Sequence, residues 1–248
     1  MIVIPMAGLS SRFARAGYGA PKHMLPLGES TVFDHAVGSF AALFGSERFL
    51  FVARGAPDTE RFIGERCRAL GIRRAQTVLL AQPTEGQAHT VALGVEEAGA
   101  AGDEPLTVFN IDTFRPGFAF PDGADAWDGY LEVFLGEGAG WSFAQPGMAD
   151  ETDPPRVVRT TEKNPISPYC CTGLYHFART RDFLAAFAMH QALPESGRQA
   201  GELYVAPLYN ELVAWGRDVR MRLIDAREVV FCGVPGEYEA LARSGYGS

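Results

Sequence analysis

Short apolar runs alternating with segments of helical period constrain this chain more than any other feature. Ile2 to Pro5, Phe49 to Ala53, Thr77 to Ala81, Leu106 to Ile111 and Gly129 to Phe134 read as strands. Between them, Thr31 to Phe44 places Val32, Phe33, Ala36, Val37, Phe40 and Ala41 at helical spacing, and Thr59 to Leu70 and Gln87 to Ala98 follow as further helices. Strand alternating with helix predicts an α/β fold on a doubly wound, mostly parallel sheet. The later part is more mixed. Val157 to Thr160, Gly173 to Phe177, Arg220 to Ile224 and Val229 to Cys232 read as strands. Asp182 to Gln191 and Glu202 to Trp215 read as helices, and Tyr238 to Arg243 starts a last one. Gly147 to Arg156, "GMADETDPPR", is a polar loop, read as a mobile excursion or a cap over a site.

A chain of 248 residues with 47% hydrophobic and 21% charged residues has the make-up of a folded globular protein. No linker divides it, so a single domain is expected. The formal net charge of -8, with no basic run, argues against binding nucleic acid or a membrane through bulk charge. Cys67, Cys170, Cys171 and Cys232 form no CxxC pair, and neither a signal peptide nor a membrane-spanning run is present. These features predict a cytoplasmic protein with reduced thiols. His23, His35, His89, His176 and His190 show no zinc-binding spacing, although His23 is placed to line a pocket. The oligomeric state is open, and a homo-oligomer is compatible with the sequence.

The loop after the first strand carries the chemistry. In a doubly wound sheet it lies at the carboxyl edge, where such sheets bind ligands. Gly8 lets the backbone approach a phosphate, Ser10 and Ser11 offer small donors, Arg12 adds a planar cation, and Pro21-Lys22 presents an ammonium from a stiff turn. The stretch is neither GxGxxG, nor a P-loop, nor a GxSxG nucleophile elbow. Asp112 is a carboxylate just past the apolar run ending at Ile111, where by itself an Asp reads as the cap of the next turn.

"MAGLSSRFARAGYGAPKHMLPL", Met6 to Leu27, resembles the signature of the nucleotidyltransferases that make activated sugars, the sugar-1-phosphate pyrophosphorylase superfamily. Further blocks resemble it in the right order: "AQPTEGQAHTVALG" from Ala81, "FNIDTF" from Phe109, "TTEKNPIS" from Thr160, "CTGLYHF" from Cys171, "GELYVAPLYNEL" from Gly201 and "CGVPGEYEAL" from Cys232. The resemblance spans the chain and implies a Rossmann-like, nucleotide-diphospho-sugar transferase fold. Its nucleotide-binding part would cover about residues 1–125 and its acceptor-binding part about 126–248. The motifs "FNIDTFRP", "DGYLEVF" and "GWSF" resemble a branch serving capsular polysaccharide synthesis.

This resemblance implies a Mg²⁺-dependent transfer of a nucleotidyl group from an NTP to a small phosphorylated acceptor, foremost a sugar-1-phosphate. A phosphorylated amino-acid amide, or a non-catalytic nucleotide-binding role, are the alternatives. It assigns Ala7, Gly8, Leu9, Ser10, Ser11, Gln82, Gly86 and Gln87 to the nucleotide. Arg12 would hold the β- and γ-phosphates, Lys22 the α-phosphate, and Asp112 the metal. Lys163 would take the acceptor phosphate, with Glu162, Thr172, Gly173 and Glu202 around the acceptor. Gln82 can present a donor and an acceptor to one base edge, which suggests a pyrimidine. Two departures stand out. Ser10 replaces a customary glycine. Phe231 stands where many members carry a second metal-binding Asp, leaving Asp225 and Glu202 as candidate substitutes. The aromatics Trp127, Tyr130, Trp141 and Phe143 could wall the acceptor site or pack in the core.

Overall fold

The computed structural model describes residues 1–55, 57–147 and 152–248. The chain opens with β1 (Ile2–Met6), whose Ile2, Val3 and Ile4 are fully buried, and turns into the short helix α1 (Ser11–Arg15). A small hairpin, β2 (Pro26–Leu27) and β3 (Ser30–Thr31), leads into α2 (Val32–Gly38). Thr31 and Asp34 cap α2 reciprocally, each side chain accepting from the other's backbone N–H. The helical period predicted to run to Phe44 breaks at Gly38. Beyond it the chain continues as a 3-10 turn, Ala41–Leu43, and the Ser39 hydroxyl accepts from the Arg115 N–H.

Next come β4 (Phe49–Arg54), α3 (Pro57–Leu70), β5 (Ala75–Leu80), α4 (Gln87–Glu97) and β6 (Leu106–Phe109), each within two residues of its sequence prediction. β6, β1, β4 and β5 lie side by side in that order, all parallel, with Ile2 opposite both Phe49 and Thr107. Parallel strands buried on both faces need helices on both sides. Alternation along β1 sends Val3 into a core shared with α4, and Ile2 and Ile4 into a phenylalanine-rich core shared with α2 and α3.

Most of the later strands extend the same sheet. β7 (Thr113–Phe114) is followed by β8 (Gly129–Leu135), β9 (Ser142–Pro146), β10 (Val157–Glu162) and β11 (Tyr169–Phe177). β11 is the hub. It pairs antiparallel with β6 on one side and with β8 and β9 elsewhere along its length, and its register shifts between Cys171 and Tyr175. Gly173 sits within that irregularity at φ 97°, where a Cβ would run into the Asn110 side chain. α5 (Thr180–Gln191), α6 (Tyr209–Ala214), β12 (Val219–Leu223), β13 (Val230–Phe231) and α7 (Pro235–Ser244) complete the chain. β12 pairs parallel with β8, and β13 pairs antiparallel with β7.

The result is the expected α/β sheet, with a parallel heart and a mainly antiparallel extension. β9 has no regular alternation and escaped the sequence reading. The helix expected from Glu202 begins only at Tyr209, because Leu203 is engaged elsewhere: its N–H donates to the Glu85 carbonyl, and its carbonyl accepts from Ala88 N–H. Residues 148–151 of the 147–156 loop, read as a cap or an excursion, lie outside the described residues. No helix among the described residues is long and apolar enough to cross a membrane.

Candidate active site

The carboxyl ends of β1 and β6 open into a cleft of about 1120 Å³ that runs from the loop after β1 to the segment around Glu202. Ala7, Gly8, Leu9, Ser10, Ser11 and Arg12 line one end, with Lys22 and Asp112 beside them. Gly86, Gln87, Glu162, Lys163, Thr172, Gly173 and Glu202 line the rest. Gln82 and Asp225, also singled out in the sequence, do not line it. Gln82 is exposed and immediately precedes the lining stretch that starts at Pro83. Asp225 caps a 3-10 turn, and both its carboxylate oxygens are taken by Arg227. It therefore stands outside the lining that includes Asp112.

The loop after β1 turns sharply at Ser10, which adopts a left-handed conformation (φ 48°, ψ 32°). The first intrahelical bond of α1 runs from Ala14 N–H to the Ser10 carbonyl, so the amides of residues 11–13 have no acceptor within the helix. Arg12 is exposed and forms no ion pair among the described residues. Lys22 Nζ lies 2.5 Å from Asp112 Oδ2, each side chain 22% exposed. The Asp112 carbonyl accepts from Cys232 N–H, which ties the carboxylate's loop to the chain beyond β13. His23 also lines the cleft. Burial, aided by the Lys22 charge, lowers its pKa to about 4, so the imidazole is neutral near pH 7.

Gly86 explains itself sterically. At φ 142° a Cβ would come within 2.5 Å of the Leu203 carbonyl oxygen, so the base-side loop can meet the Leu203 segment only as glycine. Gln87 follows, its amide donating to the Asn110 side chain. At the far end, Ser142 on β9 donates to the Glu162 carboxylate, and the Tyr175 hydroxyl donates in turn to Ser142. Burial raises the Glu162 pKa against the pull of the Ser142 hydrogen bond and the Lys163 charge. Lys163 Nζ donates to the Tyr204 hydroxyl. Phe231 faces the cleft as part of an apolar wall, its ring centroid 4.6 Å from Trp141 and 5.2 Å from Phe134. Of the aromatics named in the sequence, Trp141 lines the cleft. Tyr130 and Phe143 are core residues, and Trp127 packs edge-on against Tyr130.

Ser142, Tyr204, Asn110 and Arg198 also line the cleft, and sequence reasoning had not singled them out. Tyr204 lay inside a quoted block, "GELYVAPLYNEL", and was within reach of the reading. Ser142 was visible only as part of "GWSF".

A cleft at the carboxyl edge of a parallel sheet, with a glycine-serine loop and the cations Arg12, Lys22 and Lys163 set among the carboxylates Asp112, Glu162 and Glu202, defines an α/β protein of the nucleotidyltransferase type. No protein-family model and no curated protein sequence matches the chain. Among solved structures, the nucleoside-diphosphate-sugar pyrophosphorylase from Vibrio cholerae RC9 is 51% identical over 98% of this chain and 100% of that one, with a TM-score of 0.92. The chain belongs to this nucleoside-diphosphate-sugar pyrophosphorylase family. Two remoter structures share the fold. One, assigned as a glucose-1-phosphate thymidylyltransferase from Bacillus anthracis, is 16% identical (TM-score 0.75, 99% of this chain and 94% of that one). The other, a UTP-bound UGPase from Acinetobacter baumannii, is 14% identical (TM-score 0.70, 98% and 92%).

Proposed function

We propose that the protein transfers a nucleoside monophosphate from an NTP to a phosphorylated acceptor, most simply a sugar-1-phosphate, and releases pyrophosphate. The observation that carries this reading is the convergence of Arg12, Lys22, Asp112 and Lys163, from four separate segments, on one cleft. A phosphate oxygen of the acceptor attacks the α-phosphorus, and the bond from that phosphorus to the α,β-bridging oxygen breaks, so that the β- and γ-phosphates leave together as pyrophosphate. The nucleophile is already an anion, so the work of the protein is alignment and charge neutralisation rather than proton removal. Arg12, without an ion pair among the described residues, meets the β- and γ-phosphates. Lys22 serves the α-phosphate, and Lys163 holds the acceptor phosphate in line. Glu162 and Glu202 accept from acceptor hydroxyls.

Magnesium fits the donor set. Among the described residues no three His, Cys, Asp or Glu side chains gather at one point. An ion that keeps its waters and binds phosphate oxygens needs only one or two carboxylates, and Asp112 offers one. When bound, Mg²⁺ would neutralise triphosphate charge. With Phe231 in an apolar wall, the ion would rely on the nucleotide for its other non-water ligands.

We also propose a pyrimidine nucleotide and a place in capsule or other surface-glycan synthesis. The pyrimidine rests on the donor and acceptor of the Gln82 amide, immediately before the lining at Pro83, and the capsule assignment on the motifs named above. A second reading, a non-sugar acceptor such as a phosphorylated amino-acid amide, rests on the same capsule-branch motifs. Pyrophosphate release measured with Mg²⁺, four NTPs and a matrix of phosphorylated acceptors tests all of this. Release with a sugar-1-phosphate is expected. No release with any pair refutes nucleotidyl transfer, and release with an amide alone selects the second reading.

A further inference from the structure

The two lysines of the cleft are held in opposite ways. Lys22 is in an ion pair with Asp112, which cancels its charge locally. Lys163 forms no ion pair among the described residues, although Glu162 precedes it and Glu202 shares its cleft. Its ammonium instead donates to the neutral Tyr204 hydroxyl and lies 4.6 Å from the centroid of the same ring. Ring and hydroxyl both attract a cation without carrying a negative charge.

Both partners are fixed through their backbones. Lys163 adopts φ 54°, a left-handed conformation unusual for a residue with a side chain, and its N–H donates to the Trp141 carbonyl at 2.8 Å. The preceding Glu162 N–H donates to Gln199 Oε1 at 2.7 Å. On the other side, Tyr204 lies between Leu203, bonded to Glu85 and Ala88, and the buried Val205 and Ala206. The Ala206 carbonyl accepts from the Thr160 hydroxyl at 2.6 Å. The contact thus joins two immobilised points rather than two mobile surface chains.

We propose that Tyr204 is a positioning residue for the acceptor: it holds the Lys163 ammonium over the acceptor end of the cleft without neutralising it, leaving Lys163 two donors and a full charge for an incoming phosphate. A carboxylate in place of Tyr204 would make an ion pair like that of Lys22 and would compete with the acceptor. The proposal rests on the nucleotidyl-transfer reading, in which Lys163 meets the acceptor phosphate.

The test is a double-mutant cycle with glucose 1-phosphate as acceptor and each NTP that supports turnover. Tyr204→Phe keeps the ring and removes the hydroxyl. It should raise the KM for glucose 1-phosphate about five- to tenfold, leaving the KM for NTP unchanged. Tyr204→Leu should raise it further. In a Lys163→Ala background, Tyr204→Phe should add less than about a twofold effect, because its partner is gone. Urea midpoints of all variants establish that they fold. Effects that multiply, or a KM for NTP that rises equally, overturn the proposal and leave the transfer reading intact. If wild type shows no turnover with any NTP and acceptor, the transfer reading fails. Titration with inorganic phosphate then decides the proposal: weaker binding by Tyr204→Phe that vanishes in the Lys163→Ala background upholds it. Equal binding by all variants, or none by wild type, overturns it.

Discussion

Ser10 and Lys163 both occupy left-handed backbone, and both face the cleft. Strain of this kind persists only where neighbouring contacts over-determine it. Ser10 stands where the resembled family customarily has glycine, and its conformation shows why glycine would suit. Ser10→Gly should therefore be neutral to slightly stabilising, whereas the β-branched Ser10→Val should lose about 1–2 kcal/mol; urea denaturation of the pair checks this, and equal midpoints would refute it. Asp112→Asn should keep the fold and lower kcat about a hundredfold or more, the scale of losing one preorganised electrostatic group. Steady-state turnover near wild type at saturating NTP and Mg²⁺ would remove Asp112 from the mechanism. Arg12→Ala should weaken NTP binding with acceptor affinity nearly unchanged, and Lys163→Ala should do the reverse. Calorimetric titration of each variant with each ligand separates the two roles, and equal losses in both would refute the division.

At the scale of elements, the short strand carrying Thr113 and Phe114 is anchored from below by a buried charge. Arg115 Nε lies 3.0 Å from Glu132 Oε1, with the two side chains 5% and 0% exposed, and Arg115 Nη2 reaches Glu228 at 3.1 Å. Burial raises the Glu132 pKa against the pull of Arg115. Arg115→Met would leave Glu132 buried and uncompensated, at a cost of about 3–5 kcal/mol. The double variant Arg115→Met/Glu132→Leu should regain much of that loss. Urea midpoints decide, and a double variant as unstable as the single one would show that the pair is not the cause. Neither Arg115 nor Glu132 could be recognised in advance, because their meeting depends on which strands become neighbours. The central strands were legible because each carries its own apolar run between turn residues. The loop after β1, Lys22, Asp112 and Lys163 were legible because local motifs mark strand ends. Ser142 was not, since β9 has no alternation of its own and reaches the cleft by pairing with β10 and β11. Gln82 is exposed and immediately precedes the lining at Pro83, a boundary that its own block does not mark.

For the molecule as a whole, two buried imidazoles set an acid limit. Burial, with a nearby positive charge, lowers both His23 and His176 from an ordinary 6.5 to about 4. Below pH 6.5 the unfolded chain takes up protons that these folded imidazoles resist, so stability falls as pH drops from 6.5 towards 4. Glu132 and Glu162, raised by burial, act in the opposite sense: what they contribute is present at low pH and lost as pH rises, so they do not cause this fall. His176→Gln should lose about 1–2 kcal/mol less than wild type between pH 7 and 5. Urea midpoints at both pH values check it, and parallel losses would refute it. Beyond stability, β11 has a consequence for how the protein could be divided. It is late in the chain, yet it closes the edge of β6, the last strand of the parallel group. A fragment ending near residue 125 would keep the phosphate loop and Asp112 but bare a raw edge, and the fragment after it would carry Lys163 and the missing strand. Cleaved there, neither piece should be soluble or competent by itself, and the two co-expressed should reconstitute one another, which makes this chain a candidate for a split reporter.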